Sequence, residues 1–259
     1  MPSERPSRVG LVGVGLPLIS VIVVAAGLIV VAVGGALPGV VNPTAPKTVA
    51  VQSISPAQTG GALATLVTLP VRGRAPKTGY DRSIFGQAWA DVDRNGCDTR
   101  NDVLRRDLTA YVLRAGTHGC VVLSGTLHDP YTARTILFVR GQTTSAMVQI
   151  DHVVALSDAW QKGAQQLSEE SRRALANDSL NVIAVDGLTN QRKSDGDAAT
   201  WLPPNKPYRC SYAARQVAVK AKYGLWVTSS ERDALGRILA TCPSQRLPVA
   251  AAFVLGGGR

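Results

Sequence analysis

Gln149-Ile150-Asp151-His152-Val153-Val154 is followed downstream by Asn181-Val182-Ile183-Ala184-Val185 and then by Thr189-Asn190-Gln191-Arg192-Lys193. Short runs rich in β-branched residues, then a polar run after Asp186-Gly187, predict strand, strand and helix. Successive side chains of a strand point to opposite faces, so Asp151 and His152 reach one pocket only if the strand ends there. A hairpin-like return through 181–185 leads into the helix that carries Asn190. The order thus gathers one oxygen donor from Asp151, a second from Asn190, and an imidazole beside them.

Hard divalent cations such as Mg²⁺ take oxygen ligands and keep several waters, so they need few protein groups. An imidazole next to such an ion can deprotonate a water that attacks phosphorus, while the metal stabilises the developing charge. The chain has three histidines, His118, His128 and His152. A base that works near neutral pH therefore has few candidates. Only His152 has a carboxylate directly beside it and amide residues in the right sequel.

This pattern resembles the HNH, or ββα-metal, nuclease superfamily, in which D-H-[IV] closes the first strand, an Asn begins the second, and a His or Asn sits on the following helix. The wider sequence is similar to a family of exported bacterial HNH-endonuclease-like proteins, over roughly residues 74–242. The likeness is carried by Arg74-Ala75-Pro76, Gly79-Tyr80-Asp81-Arg82, the block from Trp89 to Arg100, Asp129-Pro130-Tyr131, Asp151-His152-Val153-Val154 and Trp201-Leu202-Pro203-Pro204. The resemblance implies an endonuclease that uses Mg²⁺, with Mn²⁺ as a substitute, on a nucleic-acid substrate, DNA before RNA. It implies His152 as general base, Asp151 and Asn190 as metal ligands, and Asn181 as the residue that fixes the loop around the base. Lys193, three residues after Asn190, shares its helix face and is expected to meet a phosphate. The stretch between His152 and Asn181 is longer than in minimal members of the superfamily and holds two predicted helices.

Working outward, residues 102–115 predict a helix, and 119–124, 134–140 and 147–154 predict strands. Residues 156–163 and 168–176 predict helices, the second opened by Ser168 as N-cap. Two more helices are expected at 211–223 and 229–239. The order is mixed rather than regularly alternating, so the class is α+β, a ββα-metal core with added helices. No internal repeat is visible.

Asp91-Val92-Asp93-Arg94-Asn95-Gly96 matches the start of a calcium loop, with Asp102 at the twelfth position. That reading makes Asp91, Asp93, Asn95 and Asp102 ligands of a structural Ca²⁺; a hydrogen-bonded Asp/Asn turn is the alternative. A third option has Arg94, Asp98 and Arg100 lining a cleft, with Arg100 as the planar donor for a phosphate. Trp201 either stacks on a base or plugs the core under its Pro-rich loop. Arg215, Lys220 and Lys222 either track a phosphate backbone or form a solvated helix face.

The chain has 259 residues and a formal net charge of +10, which favours polyanionic partners. Residues 1–8 are short and polar, and residues 9–41 carry no charge. The run is long enough to span a bilayer and longer than a usual signal-peptide core, with positive charge only before it. The expectation is an extracytoplasmic protein, either membrane-anchored with its N-terminus inside or secreted. Residues 42–74 read as a linker in which 62–71 form a short apolar element, 75–242 as the nuclease domain, and 243–259 as a frayed tail. Outside the cytoplasm, Cys97, Cys120, Cys210 and Cys242 read as two disulfides. The pairing Cys97–Cys120 with Cys210–Cys242 is favoured because each brackets one segment; no C-x-x-C spacing supports zinc. No protein partner is implied. The rival function is a non-catalytic, calcium-stabilised surface protein that binds an anionic polymer.

Overall fold

The computed structural model describes residues 60–250 and Phe253. The expected segments 1–8 and 9–41, and the first part of the expected linker, lie outside these residues. Helix α1 (Ala62–Leu66) falls within that linker, yet Ala62, Leu66 and Leu69 are buried in a core. The folded region thus begins about fifteen residues before the expected boundary, because this short apolar element has a face to cover.

Helix α2 (Thr99–Asp107) is capped by Asp98, whose carboxylate accepts from Asn101 N at 2.8 Å. It is shorter than the expected helix at 102–115: the chain leaves it directly into strand β1 (Leu108–Leu113). Residues Thr109, Tyr111 and Val112 favour a strand, and a partner is available to pair with. That partner is β2 (Val122–His128), which pairs antiparallel with β1 and with β3 (Thr135–Val139). The Asp129-Pro130-Tyr131 block turns the chain between β2 and β3. Asp129 accepts from Tyr131 N, Thr132 N and, across the molecule, Asp186 N.

Strand β4 (Val148–His152) and strand β5 (Val182–Asp186) form a separate antiparallel pair in which Asp151 faces Ile183 and His152 faces Val182. The excursion between them carries α3 (Leu156–Trp160) and α4 (Glu169–Asn177), and Ser168 caps α4 as expected, accepting from Ser171 N. Helix α3 is shorter than expected and the chain reaches Gly163 at φ 121°, a left-handed conformation that suits glycine. From β5 the chain passes straight into α5 (Gly187–Lys193), capped by Asp186, which accepts from Thr189 N and Oγ1. Gly187 is required by space: a Cβ there would lie 2.0 Å from the Ala146 carbonyl oxygen. Strand, strand and helix therefore follow in the expected order, in a mixed α+β architecture.

Helices α6 (Arg209–Tyr223) and α7 (Ser229–Ala240) complete the elements. They bury Val217, Ala218, Leu235 and Leu239 with α1. Thr228 and Glu231 cap α7 reciprocally. Beneath these helices Lys162, Lys220 and Glu231 are fully buried, and Asp158 and Asp197 nearly so. Lys162 Nζ lies 2.7 Å from each of Asp158, Asp197 and Glu231, and Arg74 reaches Asp158 at 2.9 Å and Asp197 at 2.6 Å. Lys220 pairs with Glu231 at 3.0 Å. Three cations and three carboxylates balance, which is what allows such charges inside.

The Arg215, Lys220 and Lys222 cluster is therefore not a stripe for phosphate. Lys220 is internal, Arg215 donates to the carbonyls of Ser179 and Leu180, and Lys222 pairs with Asp178 at 2.6 Å. The two disulfides are Cys97–Cys120 and Cys210–Cys242. The expected tail starts inside the fold: Ala62 N donates to Gln245 O, Leu247 N donates to Gly60 O, and Leu247 is buried.

Candidate active site

Asp151 and His152 are the last two residues of β4, and both are buried. Because the strand stops there, the pleat no longer separates them, and both line one polar pocket with Asn190, Arg82, Ser157 and Asp195. Asn190 reaches it from α5, where its side-chain NH₂ donates to Gln149 Oε1 at 3.0 Å. Its Oδ1 has no partner among the described residues. The sequence-predicted trio is thus brought together.

Asn181 lies at the entrance to β5 and is fully buried. Its Oδ1 accepts from Val154 N at 2.9 Å, and its Nδ2 donates to the Val154 and Leu175 carbonyls. It ties the segment leaving His152 to the end of α4. The same helix end fixes the imidazole: His152 Nε2 lies 2.8 Å from the Ala176 carbonyl oxygen. A carbonyl can only accept, so Nε2 carries the hydrogen and Nδ1 keeps the lone pair in the neutral ring. Nδ1 has no protein partner among the described residues. Burial, then the charge of Arg82, holds the imidazole down to about pKa 3, with the Ala176 carbonyl opposing and Lys193 adding to the depression. The ring is neutral across the physiological range.

Lys193 occupies a different place from the expected one. Its Nζ is fully buried, 2.9 Å from Asp151 Oδ1 and 2.9 Å from the His152 carbonyl. It sits on the predicted helix face but serves as a counter-charge rather than a phosphate ligand. Tyr131 O–H donates to the other Asp151 oxygen. Burial still raises the Asp151 carboxyl above its usual range, against the pull of Lys193 and Tyr131. An uncompensated carboxylate at that depth would cost several kcal/mol, and the lysine is the compensation.

Arg100 likewise turns away. Its guanidinium donates to the Val148 carbonyl at 3.3 Å, and it does not line the polar pocket. The free cation at the site is Arg82, exposed, without an ion pair among the described residues, and part of the pocket wall. Its one sequence signal was the Gly79-Tyr80-Asp81-Arg82 block, which by itself gives no direction for the side chain. Asp81 caps the 3₁₀ turn at Arg82–Phe85 and so orients it. Trp89 was also missed: its ring lies nearly parallel to His152, with centroids 6.0 Å apart and planes at 12°.

The Asp91 to Asp102 segment is a tightly bonded turn. Asp91 accepts from Asn95 N and Gly96 N, Asp93 accepts from the Asn95 side chain, and Asn95 Oδ1 accepts from Cys97 N. Asp102 lies under it, its carboxyl pushed up to about pKa 6 by burial. Trp201 packs on Tyr131 and Tyr212, at 5.0 and 5.7 Å between centroids, and so plugs a core.

Among the described residues no group of three or more His, Cys, Asp and Glu side chains is disposed to cage a metal. The donors that do share a pocket are the Asp151 carboxylate and the unused Asn190 Oδ1, both hard oxygens. Such a pair fits an ion that keeps most of its waters, in the manner of Mg²⁺, and does not fit one that needs a full protein shell.

The family described as GmrSD restriction endonucleases, C-terminal domain, matches residues 98–238, a span that contains every residue lining the polar site except Tyr80 and Arg82. An uncharacterized secreted protein of the fungus Arthroderma benhamiae is 39% identical over 176 residues, covering 67% of this chain and 81% of its own length. The relative is fungal, whereas the sequence pattern resembles an exported bacterial group. No solved structure matches the chain. A secreted relative and two disulfides agree with a place outside the cytoplasm. Among the described residues no helix is long and apolar enough to cross a membrane. A β4–β5–α5 unit whose first strand ends in Asp151-His152, with Asn181 and Asn190 in sequel and the match spanning all of them, places the chain in the family of the GmrSD restriction endonuclease C-terminal domain.

Proposed function

We propose that this chain is an extracytoplasmic, metal-dependent HNH-type endonuclease that hydrolyses phosphodiester bonds in nucleic acid, DNA before RNA. One observation carries the reading. His152 is held neutral with Nε2 bound to Ala176 O and Nδ1 unpaired, in the pocket that also holds Asp151 and Asn190. Asp151 and Asn190 would hold Mg²⁺, for which Mn²⁺ can substitute. Once bound, that ion would lower the pKa of an attached water and stabilise charge on the phosphate. His152 Nδ1 accepts the proton of the attacking water, while the Ala176 carbonyl keeps the ring from turning. Lys193, lying against Asp151, favours its ionised form. Net charge of +10 draws the polyanion in.

The test is supercoiled plasmid with Mg²⁺, beside EDTA and His152→Ala, using protein folded under oxidising conditions. Removing a general base typically costs about 10²–10⁴-fold in rate, so cleavage is expected to vanish in both controls while binding persists. Folded protein that leaves the plasmid intact with Mg²⁺ and with Mn²⁺ would overturn the proposal. Binding and any nicking both unchanged by His152→Ala would point instead to a surface protein that holds anionic polymers.

A further inference from the structure

A second cleft is lined in part by His152. It has a volume of about 360 Å³, is mostly apolar, and is walled by Phe85, Trp89, Leu156 and Ala176. That size lies at the lower end of the roughly 300–1,000 Å³ seen for small-molecule sites. His152, Arg82 and Leu156 line both this cleft and the polar pocket, so the two are neighbours that share a wall. A nucleotide unit has the same composition: a charged, hydrated phosphate joined through its sugar to a flat, apolar-faced base. Charge matches as well, because Arg82 is the exposed, unpaired cation at the shared wall.

Trp89 is held there at a cost. Its φ is 59°, a left-handed conformation that is uncommon for a bulky residue. Its carbonyl accepts from Thr99 N at 3.2 Å, and Thr99 Oγ1 donates to Ala90 O at 2.7 Å, so the α2 N-terminus clamps this backbone. Strain kept by surrounding bonds is a mark of a functional position when the side chain faces a cleft. Here the indole is only partly buried and lies parallel to the imidazole.

We infer that the apolar cleft is a nucleobase subsite, in which the base next to the scissile phosphate inserts against Trp89 while Arg82 holds the phosphate. This rests on the nuclease reading for its substrate and adds to it a substrate form. A base can enter the cleft only when it is unpaired, so the enzyme acts on single-stranded or locally opened nucleic acid. Trp89 and Arg82 are binding residues in this account, and the cleft sets strand preference.

The experiment measures binding of the full-length protein in EDTA, without turnover, to a short labelled single strand. The comparison is the same backbone carrying abasic sites. Stacking on an aromatic residue predicts roughly tenfold or greater preference for the strand with bases. Trp89→Ala is expected to remove that preference and leave abasic binding within about twofold, since phosphate contacts carry it. Trp89→Phe keeps a ring and is expected to keep part of the preference. If Trp89→Ala does not fold, Ala88→Leu decides, because Ala88 is an exposed cleft residue whose enlargement fills the space without adding a ring.

Equal binding of both strands by wild-type protein overturns the subsite. So does a base preference that survives Trp89→Ala and Ala88→Leu. Plasmid cleavage with no base preference removes the subsite and leaves the nuclease proposal standing. Base preference lost in Trp89→Ala, in a protein that cleaves nothing, supports the subsite and overturns the nuclease proposal.

Discussion

His152 is restrained from three sides: the Ala176 carbonyl at Nε2, the Trp89 ring nearly parallel to it, and the charge of Arg82. Its proton affinity has a consequence for stability. The folded ring is protonated only below about pH 3, whereas an unfolded imidazole titrates near 6.5. Between those values the unfolded state holds more protons, so the contribution is complete above pH 6.5 and is lost as the pH falls. The slope is up to about 1.4 kcal/mol per pH unit. Asp102 acts oppositely, because its raised carboxyl favours the folded state at low pH and loses that advantage as the pH rises from 3.8 to about 6. Urea denaturation of wild type beside His152→Asn separates the two: the stability gap between them is expected to shrink on acidification from pH 6.5. Parallel curves would remove the claim. The identity of this residue was legible in the sequence, where one histidine of three follows a carboxylate and precedes the right amides. The destination of Lys193 was not. Helical spacing gives its face correctly, but whether that face looks to solvent or to a buried carboxylate depends on β4, which is forty residues away.

At the scale of elements, the β4–β5–α5 unit depends on a joint with no slack. Gly187 starts α5 where a Cβ would meet the Ala146 carbonyl at 2.0 Å. Gly187→Ala is expected to destabilise by about 1–3 kcal/mol, the usual cost of overpacking, and to lower cleavage by shifting Asn190. A variant with wild-type melting and wild-type rate would show that the joint can yield. These two strands and this helix were legible in the sequence because each is set by local chemistry: β-branched runs, an Asp-Gly start and an Asp cap. The helix expected at 102–115 failed for the opposite reason. Residues 108–113 pair with β2, and tertiary pairing outweighed the helical appearance of the stretch. Helix α1 was legible only as an apolar patch, because five residues give too little periodicity to read. The two-cleft arrangement was invisible for a similar reason: Arg82 and Trp89 lie some seventy and sixty residues before His152, and nothing local brings them together.

The whole molecule is held by charges that must all be present. Arg74, Lys162 and Lys220 face Asp158, Asp197 and Glu231, and Arg74 comes from the segment that looks like linker. A fragment starting at Gly79 loses that guanidinium and uncovers the face where Ala62, Leu66 and Leu69 pack. Arg74 keeps 36% of its side chain in solvent, which discounts its ion pairs, but together with the uncovered apolar face its loss is expected to leave the fragment without a cooperative melt. Circular dichroism on heating decides it, and melting at the temperature of a fragment starting at Gly60 would show the segment to be dispensable. The contacts of Gly60 and Ala62 with Leu247 and Gln245 reach further than stability. They join the first described residues to almost the last of them, so α1 finds its seat only after residues 245–247 have been made. Until then the apolar face of α6 and α7 that Ala62, Leu66 and Leu69 cover stays open to water, a sticky patch on the emerging chain.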